Sequence, residues 1–147
     1  MGSFFSTMFT PPPADDDPNS AVVAAHSKGT YDQQWEAHKS AGKLLVIDFS
    51  ASWCGPCRFI EPAFKEMASR FPNAIFVKID VDELAEVART WKVEAMPTFV
   101  LVKDGKEVSR VVGAKKDELE RKVNTFKYYL VSLVDNDYMD LFAAFKI

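Results

Sequence analysis

The chain has no run of about 18 apolar residues, so nothing in it reads as a transmembrane helix. No Lys or Arg precedes Lys28, and nowhere is there a basic stripe interleaved with aromatics, which leaves nucleic-acid binding unsupported. Cysteine is almost absent. Cys54 and Cys57 are the only two, whereas a disulfide scaffold for secretion needs several, widely spaced. The N-terminus lacks the basic and apolar regions of a signal peptide and the Arg-rich character of a mitochondrial presequence. A cytosolic, reducing setting is therefore expected, in which a pair of thiols is not a passive staple. What is there has the size and composition of one compact domain with tails: 147 residues, 48% hydrophobic and 27% charged. Collagen-like, coiled-coil and wholly disordered readings are excluded.

Half of the eight prolines fall in the first twenty residues, beside the acidic run Asp15, Asp16 and Asp17. That composition predicts a flexible N-terminal extension over residues 1–20, with too little apolar surface to fold alone. From residue 21 the pattern becomes regular. Residues 21–25 suit a short strand, and Thr30 could cap a helix that runs to residue 41 and ends at Gly42. Residues 44–49 (LLVIDF) are apolar apart from Asp48, as in a strand buried on both faces. A helix is predicted over 54–70 with Pro62 inside it, where a kink is expected, then a strand over 75–79 and a helix over 83–91. Beyond Pro97, two apolar runs at 98–102 and 108–112 flank an Asp104-Gly105 pair, the mark of an antiparallel hairpin. Leu119, Val123, Phe126, Leu130 and Val134 then recur on one face of a final helix. The order β-α-β-α-β-α-β-β-α predicts an α/β fold, a mixed sheet with helices on both faces. Trp35 and Trp91, on predicted helices, are expected to anchor the core.

Cys54-Gly55-Pro56-Cys57 follows a buried-type strand and opens a helix. Unpaired N–H groups and the dipole at a helix start favour an anion, so Cys54 should ionise more readily than a free thiol. The thiolate is the form that attacks disulfides. Cys54 is expected to be accessible, and Cys57, one turn further in, shielded and placed to resolve the mixed disulfide. Pro56 suits the first turn, where no N–H is missed. Two bland alternatives stay open at this level. The thiols could be inert and structural, or half of a zinc site with His26 and His38, although those two lie upstream at a spacing unlike a zinc finger. Asp48 is an acid in an apolar strand, hard to place unless paired or functional. Its bland reading is a strand-edge carboxylate facing solvent.

The segment Asp48-Phe49-Ser50-Ala51-Ser52-Trp53-Cys54-Gly55-Pro56-Cys57-Arg58 resembles the active-site segment of thioredoxins. The match continues through Pro62, Lys78-Ile79-Asp80-Val81-Asp82, Met96-Pro97-Thr98, Asp104-Gly105 and Val112-Gly113-Ala114, and covers about residues 21–126. The form is most similar to the plant h-type, particularly members with an N-terminal extension. The resemblance implies a thioredoxin fold, a central mixed five-stranded sheet flanked by four helices, with the third strand in the middle. It implies a thiol–disulfide oxidoreductase that reduces protein disulfides through Cys54 and Cys57, with Gly55 and Pro56 tuning the redox pair. No bound cofactor is implied. NADPH-dependent thioredoxin reductase, a flavoprotein, would re-reduce the pair. Asp48 would act as acid/base for Cys57 through water, with Lys78 as its charge partner. Pro97 would be a cis-proline beside the cysteines, and Trp53, Met96, Pro97, Val112, Gly113 and Ala114 would form an apolar rim that docks partner proteins. A monomer is expected. Two other functions are weighed. One is a disulfide isomerase or oxidase, disfavoured by Gly-Pro between the cysteines. The other is a non-catalytic subunit of thioredoxin fold. Ser50 stands where many bacterial thioredoxins carry a second tryptophan, which leaves the reaction untouched.

Both tails depart from a plain domain. Met1-Gly2-Ser3-Phe4-Phe5-Ser6 fits the N-myristoylation pattern at Gly2. One acyl chain, with no cysteine nearby for palmitoylation and no polybasic patch as a second signal, predicts only reversible membrane association. Residues 127–147 form an atypical C-terminal extension, rich in apolar residues around Tyr128, Tyr129 and Leu130 and again at Tyr138, Leu141, Phe142 and Phe145. A partner or membrane contact is one reading. An appended segment that folds back without a role of its own is the other.

Overall fold

A computed structural model describes residues 17–127. Five strands, β1 (Val23–Ala25), β2 (Leu44–Ser50), β3 (Ala74–Asp80), β4 (Thr98–Lys103) and β5 (Lys106–Val112), form one sheet in the order β1-β3-β2-β4-β5. β1, β3 and β2 are parallel to one another, and β4 and β5 run antiparallel. Helices α1 (Lys28–Ala41), α2 (Gly55–Arg70) and α3 (Ala85–Thr90) connect the strands, and α4 covers 116–127. The four helices and the mixed sheet match the expected fold. The expected centre does not: β2, not the third strand, lies in the middle. All seven of its residues are buried, while β3 is only half-buried along part of its length.

Strand alternation divides the core in two. Leu44, Val46, Phe76, Phe99 and Leu101 face α2 and α4, where Ile60, Phe64, Met67, Leu119 and Val123 meet them. Phe64 packs between Phe76 and Phe99, with ring centroids 5.3 and 5.6 Å away. On the other face Leu45, Ile47, Phe49, Val77 and Ile79 receive α1 and α3. Trp35 and Trp91 pack there edge to face at 5.8 Å, and the Trp91 indole N–H donates to the Tyr31 hydroxyl. They are core anchors, as expected, although each is only partly buried.

The helix starts and turns correct several local readings. Ser27, not Thr30, caps α1: its Oγ accepts the Thr30 N–H at 3.2 Å. Gly42 ends the helix in the left-handed conformation, as read from the sequence. α2 runs on through Pro62. The β4–β5 connection is shorter than the expected five-residue loop. Asp104 and Gly105 alone turn the chain, with φ of 51° and 76°, the paired positive values of a type I′ hairpin. Fully buried His38 ties this turn to α1. Its Nδ1 lies on the Trp35 carbonyl, and its Nε2 accepts the Gly105 N–H at 3.2 Å. Leu119, Val123 and Phe126 face the core from α4. Leu130 and Val134 lie outside the described residues, as do Gly2 and the apolar residues from Tyr128 onward.

Candidate active site

β2 ends at Ser50, the chain turns through Ala51, Ser52 and Trp53, and α2 begins at Gly55 with Cys54 as its N-cap. The turn is closed by the Cys54 N–H on the Ala51 carbonyl at 3.2 Å. Cys54 and Cys57 are joined as a disulfide, with Cα atoms 5.3 Å apart. The Cys57 N–H donates to Cys54 Sγ at 3.2 Å, one of the donors that a helix start leaves without a backbone partner. Cys54 Sγ therefore sits where negative charge is best received. The expected difference in exposure between the two cysteines is absent, since each is 5% exposed. What distinguishes them is position: Cys54 caps the helix, and Cys57 lies within its first turn on the face that meets the sheet.

A second loop comes up beside the pair. The Met96–Pro97 peptide bond is cis, and the Met96 carbonyl oxygen is 3.6 Å from Cys54 Sγ. The loop is held from behind, where Gly113 N–H donates to the Pro97 carbonyl at 2.8 Å and the Thr98 hydroxyl bonds the Ala95 carbonyl. Gly113 has φ of 99°, a conformation that favours glycine at this junction. Trp53 is 64% exposed and Val112 47%, while Met96, Gly113 and Ala114 are half-buried and Pro97 is buried. The Trp53 ring is oriented by its N–H on Asp82 Oδ2 at 3.0 Å.

Beneath the pair, Asp48 projects from β2 onto the α2 face of the sheet, with Lys78 of β3 as its register partner. Asp48 is 1% exposed and its Oδ1 has no hydrogen-bond partner among the described residues. Burial pushes its carboxyl up from 3.8 to about 7, against the pull of the Lys78 charge and with the help of the Glu61 charge. The reading of Asp48 as a solvent-facing strand-edge acid is therefore wrong. Lys78 is shared, with its Nζ 3.5 Å from Glu61 Oε1.

The family model for Thioredoxin matches residues 22–125. The chain belongs to the thioredoxin family. This thioredoxin is 79% identical over 128 residues to Thioredoxin H2-2 of Oryza sativa subsp. japonica, a match covering 86% of this chain and 96% of that protein. It is 62% identical to Thioredoxin H2-1 of the same plant, over 86% of this chain and 93% of that one. Its structure superimposes on the crystal structure of thioredoxin NaTrxh from Nicotiana alata with a TM-score of 0.71 at 50% identity, covering 75% of this chain and 96% of that chain. It is a thiol–disulfide oxidoreductase of the protein-disulfide reductase kind, and its high-identity relatives are plant h-type thioredoxins.

The structure of this thioredoxin brings Trp53, Cys54, Cys57, Met96 and Pro97 together and sets Asp48 and Lys78 on one face of the sheet. The two histidines that a zinc site would need are engaged elsewhere, His38 in the core and His26 with Glu83 at 2.9 Å. Among the described residues no three His, Cys, Asp or Glu side chains converge to hold a metal. Three neighbours escaped the sequence reading. Asp82 was visible only as part of a motif. Glu61 could have been found by spacing, four residues beyond Cys57 and so on the same side of the helix. Phe59, 79% exposed, falls off the stripe of Cys57, Ile60 and Phe64, which marks it as outward-facing.

Proposed function

We propose that this thioredoxin reduces disulfides in other proteins, with Cys54 as nucleophile and Cys57 as resolving thiol. The Cys54 thiolate attacks one sulfur of the substrate disulfide. That bond breaks, the departing sulfur leaves with the electron pair and takes up a proton, and a mixed disulfide joins Cys54 to the substrate. Cys57 then loses its proton to the Asp48 carboxylate through water, and its thiolate attacks Cys54 sulfur. The Cys54–Cys57 bond forms, the second substrate thiol departs, and two electrons have passed from the dithiol to the substrate. The chain needs no bound cofactor for these steps. NADPH-dependent thioredoxin reductase returns the two electrons. Lys78 moderates the Asp48 charge, and Gly55 and Pro56 keep the pair in a tight first turn.

The observation that carries this reading is Cys54 Sγ at the α2 cap, accepting the Cys57 N–H and lying against the Met96 carbonyl. Exposed Trp53 and Val112, with Met96, Pro97, Gly113 and Ala114 between them, supply an apolar rim where an extended substrate segment docks beside the sulfur. The working location is the cytoplasm, and the working form is a monomer. Gly2 carries a myristoyl group that attaches a fraction of the protein reversibly to a membrane, with residues 1–20 as its tether. Residues 127–147 are an appendage to the domain spanning 21–126.

Insulin reduction coupled to NADPH and thioredoxin reductase tests the reaction, and a rate no higher than that of Cys54→Ser refutes it. A Gly2→Ala protein expressed in plant cells tests the lipid. It should move from the membrane to the soluble fraction and lose the mass increment of an acyl chain. Equal partitioning and equal mass of the two forms would dispose of the acylation.

A further inference from the structure

Glu61 stands on α2 four residues beyond Cys57, so both side chains leave the helix on the side that packs on the sheet. Its Oε1 lies 3.5 Å from Lys78 Nζ and 3.4 Å from Lys65 Nζ. Lys78 is the register partner of Asp48, and in a parallel pair the two side chains rise from the same face. The Glu61 and Lys78 side chains are 18% and 14% exposed, so solvent screens them less than it does a surface pair. Apolar residues line the same face, Phe99 from β4, Ile60 and Phe64 from α2, and Leu119 and Val123 from α4, with the Cys57 thiol also buried on α2. Three charged groups therefore form a line from the core outward: Asp48, Lys78 and Glu61, with Lys65 behind Glu61 on the next turn.

We propose that Glu61 is a positioning residue for the resolving step, dividing the Lys78 charge between itself and Asp48 so that Asp48 stays a strong proton acceptor. This rests on the reading of Asp48 as the group that takes the Cys57 proton. Glu61 touches no reacting atom. The proton still passes from the Cys57 thiol to the Asp48 carboxylate, the Cys54–Cys57 bond forms, and the substrate sulfur leaves with its electron pair. Glu61 sets how basic that carboxylate is. Its charge opposes a second negative charge at Asp48, and it holds Lys78 partly away, both in the direction that raises the Asp48 carboxyl. With Glu61 neutral, the Lys78 charge acts more fully on Asp48, and Asp48 becomes a weaker base that ionises at lower pH.

The test follows the Asp48 carboxyl by carbon-13 NMR in the oxidised full chain, with Asp48→Asn assigning the resonance. E61Q should lower the titration midpoint by about one pH unit, and E61D should recover part of the difference. Stopped-flow release of the second thiol from a glutathione mixed disulfide then reads the same effect in the reaction. At pH 6 the larger carboxylate fraction offsets the weaker base, so the effect is read at pH 8. There Asp48 is ionised in both proteins, and a Brønsted coefficient of about 0.5 makes E61Q resolve about threefold slower. A merely structural Glu61 would change the urea midpoint and leave the titration in place. An Asp48 midpoint that E61Q leaves unmoved, or raises, overturns the proposal. If instead the pH dependence of resolution survives in Asp48→Asn, the reading of Asp48 as proton acceptor fails and takes the role of Glu61 in resolution with it, whereas an unmoved midpoint in E61Q overturns the role of Glu61 alone.

Discussion

Replacing Asp48 by Asn isolates the cost of one buried carboxyl. In the folded protein the group is pushed up to about 7 from 3.8, so the folded state binds the proton more tightly than the unfolded chain does. The sign follows by linkage. Below about pH 4 both states carry the proton and the group costs nothing. As pH rises through the window from 4 to 7 the unfolded chain releases it first, and stability falls. Above 7 the loss is complete. Roughly three units at about 1.4 kcal/mol each give a loss of about 4 kcal/mol. Asn cannot ionise, so its stability should stay flat across the window. The buried amide brings its own unpaired groups, which take back about 1–2 kcal/mol. At pH 8 the variant should therefore be more stable by about 2–3 kcal/mol, and at pH 4 weaker by about 1–2 kcal/mol. Urea unfolding of both oxidised proteins from pH 4 to 9 measures this, and the difference curve cancels every other titrating group. A variant that tracks the native protein across the window refutes the argument, because the carboxyl would then be ionised without penalty. The same variant should slow release of mixed disulfides at neutral pH and leave Cys54 attack nearly intact. Equal slowing of both steps would assign Asp48 a structural role alone.

The remaining predictions test the cysteines, the histidine latch and the core. Cys57→Ser should accumulate dithiothreitol-releasable complexes with target proteins from a plant extract, and Cys54→Ser almost none. Comparable trapping by both would mean that helix position does not choose the nucleophile. Burial, against a bond to the Trp35 carbonyl, holds the His38 imidazolium form below its usual 6.5. The His38 contribution to stability should therefore be lost as pH drops below 6.5, against the gain from Asp48 over the same range, and the His38 ring resonance should stay neutral at a pH where an exposed histidine is half protonated. A ring that titrates at 6.5 or above contradicts the bond from Gly105. Phe64→Ala should cost about 4 kcal/mol in urea unfolding, since the ring fills the space between Phe76 and Phe99. A loss under about 1 kcal/mol would mean that the cavity collapses or that the ring is poorly packed.

Elements whose cause is local were legible in the sequence, and those that depend on a partner were not. LLVIDF reads as a doubly buried strand because a helix layer on each face demands apolar residues without alternation. Which strand is central is a matter of neighbours, and the resemblance misplaced it. Asp104-Gly105 identified the hairpin through its φ requirement, yet the turn is only those two residues. Pairing extends to Lys103 and Lys106, whose polarity suggested loop. Ser27 was passed over for Thr30 although both bear a hydroxyl, because the polar residues Ser27 to Thr30 give no periodic signal for where the helix begins.

The site divides along the same line. Cys54 and Cys57 are three residues apart on one helix start, so their juxtaposition follows from helix geometry alone. Their equal burial does not, because it is decided by the Met96–Pro97 loop that closes over Cys54 from more than forty residues away. Asp48 was found because it violates its surroundings: an acid in LLVIDF has to be explained before any partner is known. Glu61 violates nothing in sequence. On a helix with Lys65 one turn on, it looks like an ordinary surface i,i+4 pair. Only the β2–β3 register, setting Lys78 beside Asp48, turns that pair into the outer end of a buried charge line. A conflict between a residue and its own segment is visible in one dimension. A residue that relieves or sharpens someone else's conflict appears only when the register is known.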